Sequence, residues 1–127
     1  MPNATDRVQA ITETVNRYIE LIAKGSADDI VELYADDATV EDPVGGEVHI
    51  GRQAIRGFYA AVSDVQRECE LVTLRVAGHE AAFQFRLTVT AGEHTMVIEP
   101  IDVMVFDAQG KVAAMKAYWS AADVRQL

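Results

Sequence analysis

The sequence predicts an α+β fold in which three helices come first and pack on one face of a curved, mostly antiparallel sheet. Two observations carry that reading. The first half of the chain repeats its apolar residues at three- and four-residue spacings, the period of a helix face, and the second half alternates apolar with polar residues. Helices followed by a run of strands, rather than helices and strands in alternation, means segregated layers of the α+β kind.

The elements follow in order. Val8, Ile11, Val15, Tyr18, Ile19 and Ile22 form the stripe of a first helix, which Gly25 can end. Ser26 is a good N-cap for a second, short helix carrying Ile30, Val31, Leu33 and Tyr34. The β-forming segment ATVEDPV (Ala38 to Val44) follows, ended by Pro43, with Gly45 and Gly46 as turn residues. A third helix after Gly51 shows Ile55, Phe58, Tyr59 and Val62 at amphipathic spacing.

In the second half Val72, Leu74 and Val76 alternate with polar positions up to Gly78. Phe83, Phe85, Leu87 and Val89 alternate with Gln84, Arg86, Thr88 and Thr90, as in a sheet with one wet face. Gly92-Glu93 marks a turn before a long strand from about His94 to Phe106. A second turn, DAQG (Asp107 to Gly110), precedes a last strand from Lys111 to about Ser120. No linker, repeat or low-complexity stretch divides the chain, so one domain over residues 1–127 is expected.

Composition narrows the function classes. The formal net charge of −9 repels phosphate backbones and anionic lipid, which disfavours nucleic acid and membrane surfaces as partners but not a neutral apolar ligand. Cys69 is the only cysteine, which excludes an intrachain disulfide and a thiol pair on a metal. The N-terminal residues lack the pattern of a secretory signal, and no apolar run approaches the roughly 20 residues of a membrane span. A cytoplasmic protein is the expectation. His49, His79 and His94 are scattered without metal-ligand spacing, and no phosphate-binding loop or nucleophile elbow is present. Acid–base chemistry by Asp and Tyr side chains, without cofactor or metal, remains.

Asp42 is two residues from Val40 and so shares its strand face; if Val40 points inward, so does Asp42, as a candidate general base. The alternative is that Asp42-Pro43 simply opens a turn. Asp102 is sharper. Met96, Ile98, Pro100, Asp102, Met104 and Phe106 fall on one face of the long strand, and the opposite face is apolar except for Glu99. A carboxylate buried without a partner costs several kcal/mol, so such a group keeps its proton and becomes a hydrogen-bond donor. The alternative is a buried salt bridge to Arg75 or Arg86. Tyr18, Tyr34 and Tyr59 lie on the apolar stripes of the three helices, either as ordinary core residues or as a connected hydroxyl network. Met115 and Trp119 share a face of the last strand, where Trp119 either walls a cavity or fills the core.

These residues sit in recognisable segments. YADDATVEDPVG (Tyr34 to Gly45) closely resembles the signature segment of the bacterial ketosteroid isomerases, cone-shaped proteins of the nuclear-transport-factor-2-like superfamily. RYIELI (Arg17 to Ile22), GRQAIRGFY (Gly51 to Tyr59), PIDVMVFD (Pro100 to Asp107) and MKAYWS (Met115 to Ser120) resemble that family too, in order and with compatible spacing. The resemblance implies Asp42 as base, Tyr18 and a protonated Asp102 as oxyanion donors, and Tyr34 and Tyr59 as the tyrosines supporting Tyr18. It implies Trp119 as the aromatic residue near the base. Phe58, Phe83, Phe85 and Met115 match only in residue class, as lining of the substrate cavity.

The reaction so implied moves the double bond of a 3-oxo-Δ5-steroid into conjugation by proton transfer, with no cofactor. The implied architecture is a conical barrel around an apolar cavity, and the implied assembly is a homodimer formed through the sheet, for which the mixed faces of the last strand leave Val112, Ala114 and Tyr118 available. Two other readings compete. A non-catalytic sterol or apolar small-molecule binder would not need Asp42 together with Asp102. A dehydratase or epoxide hydrolase of this fold would use a His–Asp pair or an Asp–Arg–Asp set, and the three histidines are not expected on inward faces.

Overall fold

A computed structural model describes residues 3–127. Helix α1 (Ala4–Lys24) opens on Asn3, whose side chain accepts the Asp6 amide at 2.8 Å, and buries Ile11, Val15, Tyr18, Ile19, Leu21 and Ile22. Val8 stays exposed. Gly25 ends the helix: a Cβ there would stand 2.7 Å from the Leu21 side chain and 2.9 Å from its carbonyl oxygen. Helix α2 (Ala27–Val31) is closed by a reciprocal Ser26–Asp29 capping box.

Strand β1 (Tyr34–Glu41) begins at once, so Tyr34 lies on a strand and not on the second helix, where the spacing had put it. Helix α2 holds only five residues, and Leu33 donates its amide back to Ile30 as the chain turns out of it. Strand β2 (Val48–Ile50) pairs back on β1, an element hidden in the sequence by its shortness. Gly51, at φ +87°, turns the chain into α3 (Arg52–Ser63). There Ile55 and Tyr59 are buried, Phe58 is half-buried and Val62 is exposed.

Strands β3 (Gln66–Ala77), β4 (Glu80–Ala91), β5 (His94–Ile98), β6 (Ile101–Phe106), β7 (Val112–Tyr118) and β8 (Val124–Gln126) complete the molecule, with a 3-10 turn at Ala121–Asp123. The order across the sheet is β2-β1-β7-β6-β4-β5-β8, with β3 on the other edge of β4. All pairings are antiparallel except β1 with β7. The three helices pack on this open sheet, an α+β architecture.

Three expectations about strand faces fail, each at an irregularity in a ladder. The long strand His94–Phe106 is broken at Glu99-Pro100, because proline cannot donate to a ladder. Val97 is therefore the buried residue of β5, while Met96 and Ile98 are only half-buried and do not share Asp102's face. In β3 the register slips between Leu71 and Thr73, and Val72 comes out 48% exposed. In β7 a shift beside Val112 turns that residue fully inward, so it cannot serve an outer surface.

Two arginines tie the layers together. Arg67 on β3 donates to the carbonyls of Ile22 and Gly25 at the end of α1 and to Ser63 at the end of α3. It satisfies carbonyls that helix ends leave without partners. Arg52 donates two bonds, at 2.9 and 2.7 Å, to the Tyr34 carbonyl and so fixes the start of α3 to the start of β1. The elements bearing Tyr18, Tyr34 and Tyr59 are thereby locked to one another.

Candidate active site

Tyr18, Tyr34 and Tyr59 meet in the core. The Tyr59 hydroxyl is 2.6 Å from that of Tyr34 and 3.0 Å from that of Tyr18, so the three form one hydrogen-bonded chain. Each phenol is held well above the usual tyrosine range, first by burial. For Tyr18 the bond with Tyr59 pulls the other way. Of the two earlier options for these tyrosines, the structure contains the network.

Strand β6 sets Asp102 directly opposite Phe83 on β4 and Ala117 on β7, both buried. Its side chain is 1% exposed, and neither carboxyl oxygen has a hydrogen-bond partner. Arg86 goes to Glu99 at 3.0 Å and Glu70 at 3.5 Å, and Arg75 to Thr73 and the Leu74 carbonyl. The alternative of a buried salt bridge is absent. Burial pushes the Asp102 carboxyl well above the usual carboxylate range, and the charge of Asp42 adds to it. The nearby Tyr18 hydroxyl works in the opposite direction without offsetting burial. Asp102 is therefore biased strongly toward its protonated form, with the Tyr18 hydroxyl nearby.

Asp42 follows β1, on the side of the fully buried Val40, while Glu41 faces the other way and accepts the Gly45 amide at 2.9 Å. Trp119 donates its indole N–H to Asp42 Oδ1 at 2.7 Å. Burial raises the pKa of Asp42 above the ordinary aspartate value; the Trp119 bond and the charge of His49 lower it, without cancelling the rise. The result is a carboxylate made more basic than in water, with one directed donor favouring its charged form. Asp42 also contributes to the raised values of Tyr18 and Asp102, so the three groups share one electrostatic site.

The expected lining residues divide into an interior and a rim. Phe83 stands 6.0 Å from Tyr18, edge to face, and 5.8 Å from Phe85, and both phenylalanines are buried. Met115 is buried beside its strand neighbours Val40 and Met104. Phe58 and Trp119 are half-buried at the edge. Clefts of about 680 Å³ and 420 Å³ lie elsewhere, one between α1 and the β6–β7 turn and one around the α1–α2 junction and α3. Neither is lined by Tyr18, Asp42 or Asp102.

Two neighbours of the site escaped the sequence reading. His49, expected off the inward face, pairs with Val40 across β1–β2, is only 20% exposed and lies 4.9 Å from the Phe58 ring. Its flanking residues Val48 and Ile50 are the exposed ones. Hydrophobic alternation therefore pointed the wrong way, and only the pairing to β1 reverses it. The absence of an inward histidine thus no longer separates the isomerase reading from a His–Asp dehydratase or hydrolase. Cys69 on β3 faces the interior, its thiol pushed up to about 12 by burial and by the charge of Asp102. Among the described residues no three His, Cys, Asp or Glu side chains gather as metal ligands.

Comparison with known proteins places this geometry. Residues 15–115 match the SnoaL-like domain family. The chain is 48% identical over 115 residues to the steroid Delta-isomerase of Nocardioides simplex, covering 90% of this chain and 93% of that protein. It is 30% identical over 129 residues to the epoxide hydrolase LasB of Streptomyces lasalocidi, covering 84% of this chain and 46% of that protein. Among solved structures, SalBIII, an epoxide hydrolase/cyclase-like enzyme with a role in pyran ring formation in the polyether salinomycin, aligns with a TM-score of 0.85. That alignment has 28% sequence identity and covers 91% of this chain and 95% of the other. With a family match across most of its length and 48% identity over nine-tenths of it to a steroid Delta-isomerase, the chain belongs to the SnoaL-like domain family of cone-shaped α+β proteins.

Proposed function

We propose that this enzyme isomerises 3-oxo-Δ5-steroids to their conjugated Δ4 isomers, with Asp42 as proton shuttle and Tyr18 and Asp102 as the oxyanion hole. The observation that carries the reading is Asp102: a carboxyl group with no partner for either oxygen, kept neutral by burial, beside a tyrosine hydroxyl. A structural role would have given that group a cation. A role in holding an oxygen that becomes negative only during reaction leaves it without a partner in the resting fold.

The chemistry follows from these positions. The C4 proton between the ketone and the β,γ double bond is weakly acidic, because its removal puts charge on the carbonyl oxygen. Asp42, made more basic by burial, takes that proton and returns it at C6. Tyr18 and Asp102 hydrogen-bond the dienolate oxygen in surroundings that exclude water, where donors fixed in advance stabilise charge most. Tyr59 and Tyr34 orient the Tyr18 hydroxyl. Phe83, Phe85 and Met115 supply apolar surface for the steroid rings, with Phe58 and Trp119 at the rim. The direct test is to add 5-androstene-3,17-dione to the purified chain and follow the absorbance of the conjugated enone. Absence of that signal sinks the proposal.

The proposal extends to assembly and location. The outer sheet face presents Ile101 paired directly with Tyr118, and Val105 paired with Ala114, an exposed apolar strip suited to a second copy of the chain. A single domain acting as a homodimer in the cytoplasm, with Cys69 reduced, completes the reading. A second reading is favoured by the named activities of LasB and SalBIII together with the position of His49. In it, Asp42 would activate water or a hydroxyl while Tyr18 and Asp102 protonate an epoxide oxygen. Consumption of an epoxide faster than isomerisation of the steroid ketone would select it.

A further inference from the structure

Asp42 shares its surroundings with groups on several elements. Trp119, just after β7, and His49 of β2 lower its pKa, while its own charge raises those of Tyr18 on α1, Tyr34 on β1 and Asp102 on β6. Of these, only His49 can carry a positive charge. Directly paired residues of antiparallel strands project to the same side, so the pairing of His49 with Val40 puts its ring on the inner face that Asp42 continues. Phe58 of α3 backs the ring at 4.9 Å, and Glu47 Oε2 stands 3.8 Å from its Nδ1. The latter distance is too long for a hydrogen bond but short enough for attraction between charges.

We infer that His49 is a positioning residue for the base: backed by Phe58 and beside Glu47 on the inner face that Asp42 continues, its ring, when protonated, sets the field in which Asp42 takes up and returns its proton. With His49 charged, the Asp42 carboxylate persists to lower pH, consistent with the lowering that His49 exerts on it. The same charge makes Asp42 a weaker base toward a weak carbon acid. His49 thus trades driving force for a wider working range on the acid side. Because Asp42 is the base of the proposed isomerisation, the inference rests on that reading for its catalytic meaning, though not for its electrostatic content.

The test separates the two. Carbon-13 NMR of aspartate-labelled protein follows the Asp42 carboxyl through a pH titration, with Asp42→Asn assigning the signal. His49→Gln removes the charge, and His49→Phe removes it while keeping an aromatic ring against Phe58. Asp42 is expected to titrate at higher pH in both variants than in the wild type. At a pH on the acid limb of kcat/KM, His49→Gln is expected to lose about threefold in rate and to recover fully at pH 8, with KM unchanged. Superimposable Asp42 titrations in wild type and His49→Gln overturn the inference, as does a His49→Phe protein that titrates like wild type. If the titration shifts but wild-type protein does not isomerise the steroid, the isomerase proposal fails and the electrostatic role of His49 stands.

Discussion

Replacing Asp102 by leucine should make the protein more stable and far less active. The side chain is 1% exposed, its cross-strand neighbours are Phe83 and Ala117, and neither oxygen has a partner. Burying a polar group in that way costs about 1–3 kcal/mol, and leucine, close in size and apolar, removes the cost. Stability from urea unfolding should therefore rise by about 1–2 kcal/mol at pH 7. Turnover should fall by about 10²–10³-fold, the usual loss for one oxyanion donor. Asp102→Asn retains an N–H donor and should lie between wild type and leucine in activity.

The pH dependence carries a further sign. The folded chain holds the Asp102 proton while the unfolded chain releases it above about pH 3.9, so this residue favours folding below that pH. Its contribution declines as pH rises toward the raised folded value, and the Leu variant should lack this component of the slope. A Leu variant destabilised by several kcal/mol would refute the reasoning, since that is the signature of a broken charge pair. Equal activities for Leu and Asn would remove Asp102 from the oxyanion hole.

Other perturbations probe the remaining parts of the site. Asp42→Asn keeps the Trp119 contact in reach but removes the proton acceptor, so enone formation should drop by about 10²–10⁴-fold or more while steroid binding by fluorescence titration persists. Tyr59→Phe breaks both bonds of the tyrosine chain and leaves two buried hydroxyls without that partner. It should cost about 1–3 kcal/mol in urea unfolding and lower kcat less than Tyr18→Phe does. Light scattering should report about twice the 13.9 kDa chain mass, and Ile101→Glu, which puts a charge on the exposed strip, should return it to one chain mass.

Periodicity sufficed for the helices because each needs only one apolar stripe. Ile11, Val15, Tyr18, Ile19 and Ile22 are the buried face of α1, as their spacing dictates. Ser26 and Gly25 bound their helices for local reasons, a side-chain cap and a position with no room for a Cβ. The inward placement of Asp42 and Asp102 was legible for a related reason. Parity along a strand transmits facing from a neighbour such as Val40 or Met104, provided no irregularity intervenes. Where one did intervene, the parity argument misplaced Val72, Met96, Ile98 and Val112, since a one-residue slip in a ladder exchanges the faces.

What only the tertiary structure decided is which groups meet. Tyr34 and Tyr59 are 25 residues apart and Trp119 and Asp42 are 77 apart, yet each pair is joined by one hydrogen bond. Those contacts depend on the parallel pairing of β1 with β7 and on Arg52 fixing α3 to β1. His49 is the clearest case. Its flanking valine and isoleucine say that it should face solvent, and a three-residue strand is too short for its own pattern to set its register. Pairing to β1 sets it, and brings the histidine to the base. The sequence by itself determined which side chains are able to do the chemistry, because side-chain type and local face are properties of short segments. Their mutual distances belong to long-range pairing, so the raised pKa of Asp102 and the field around Asp42 exist only in the folded chain.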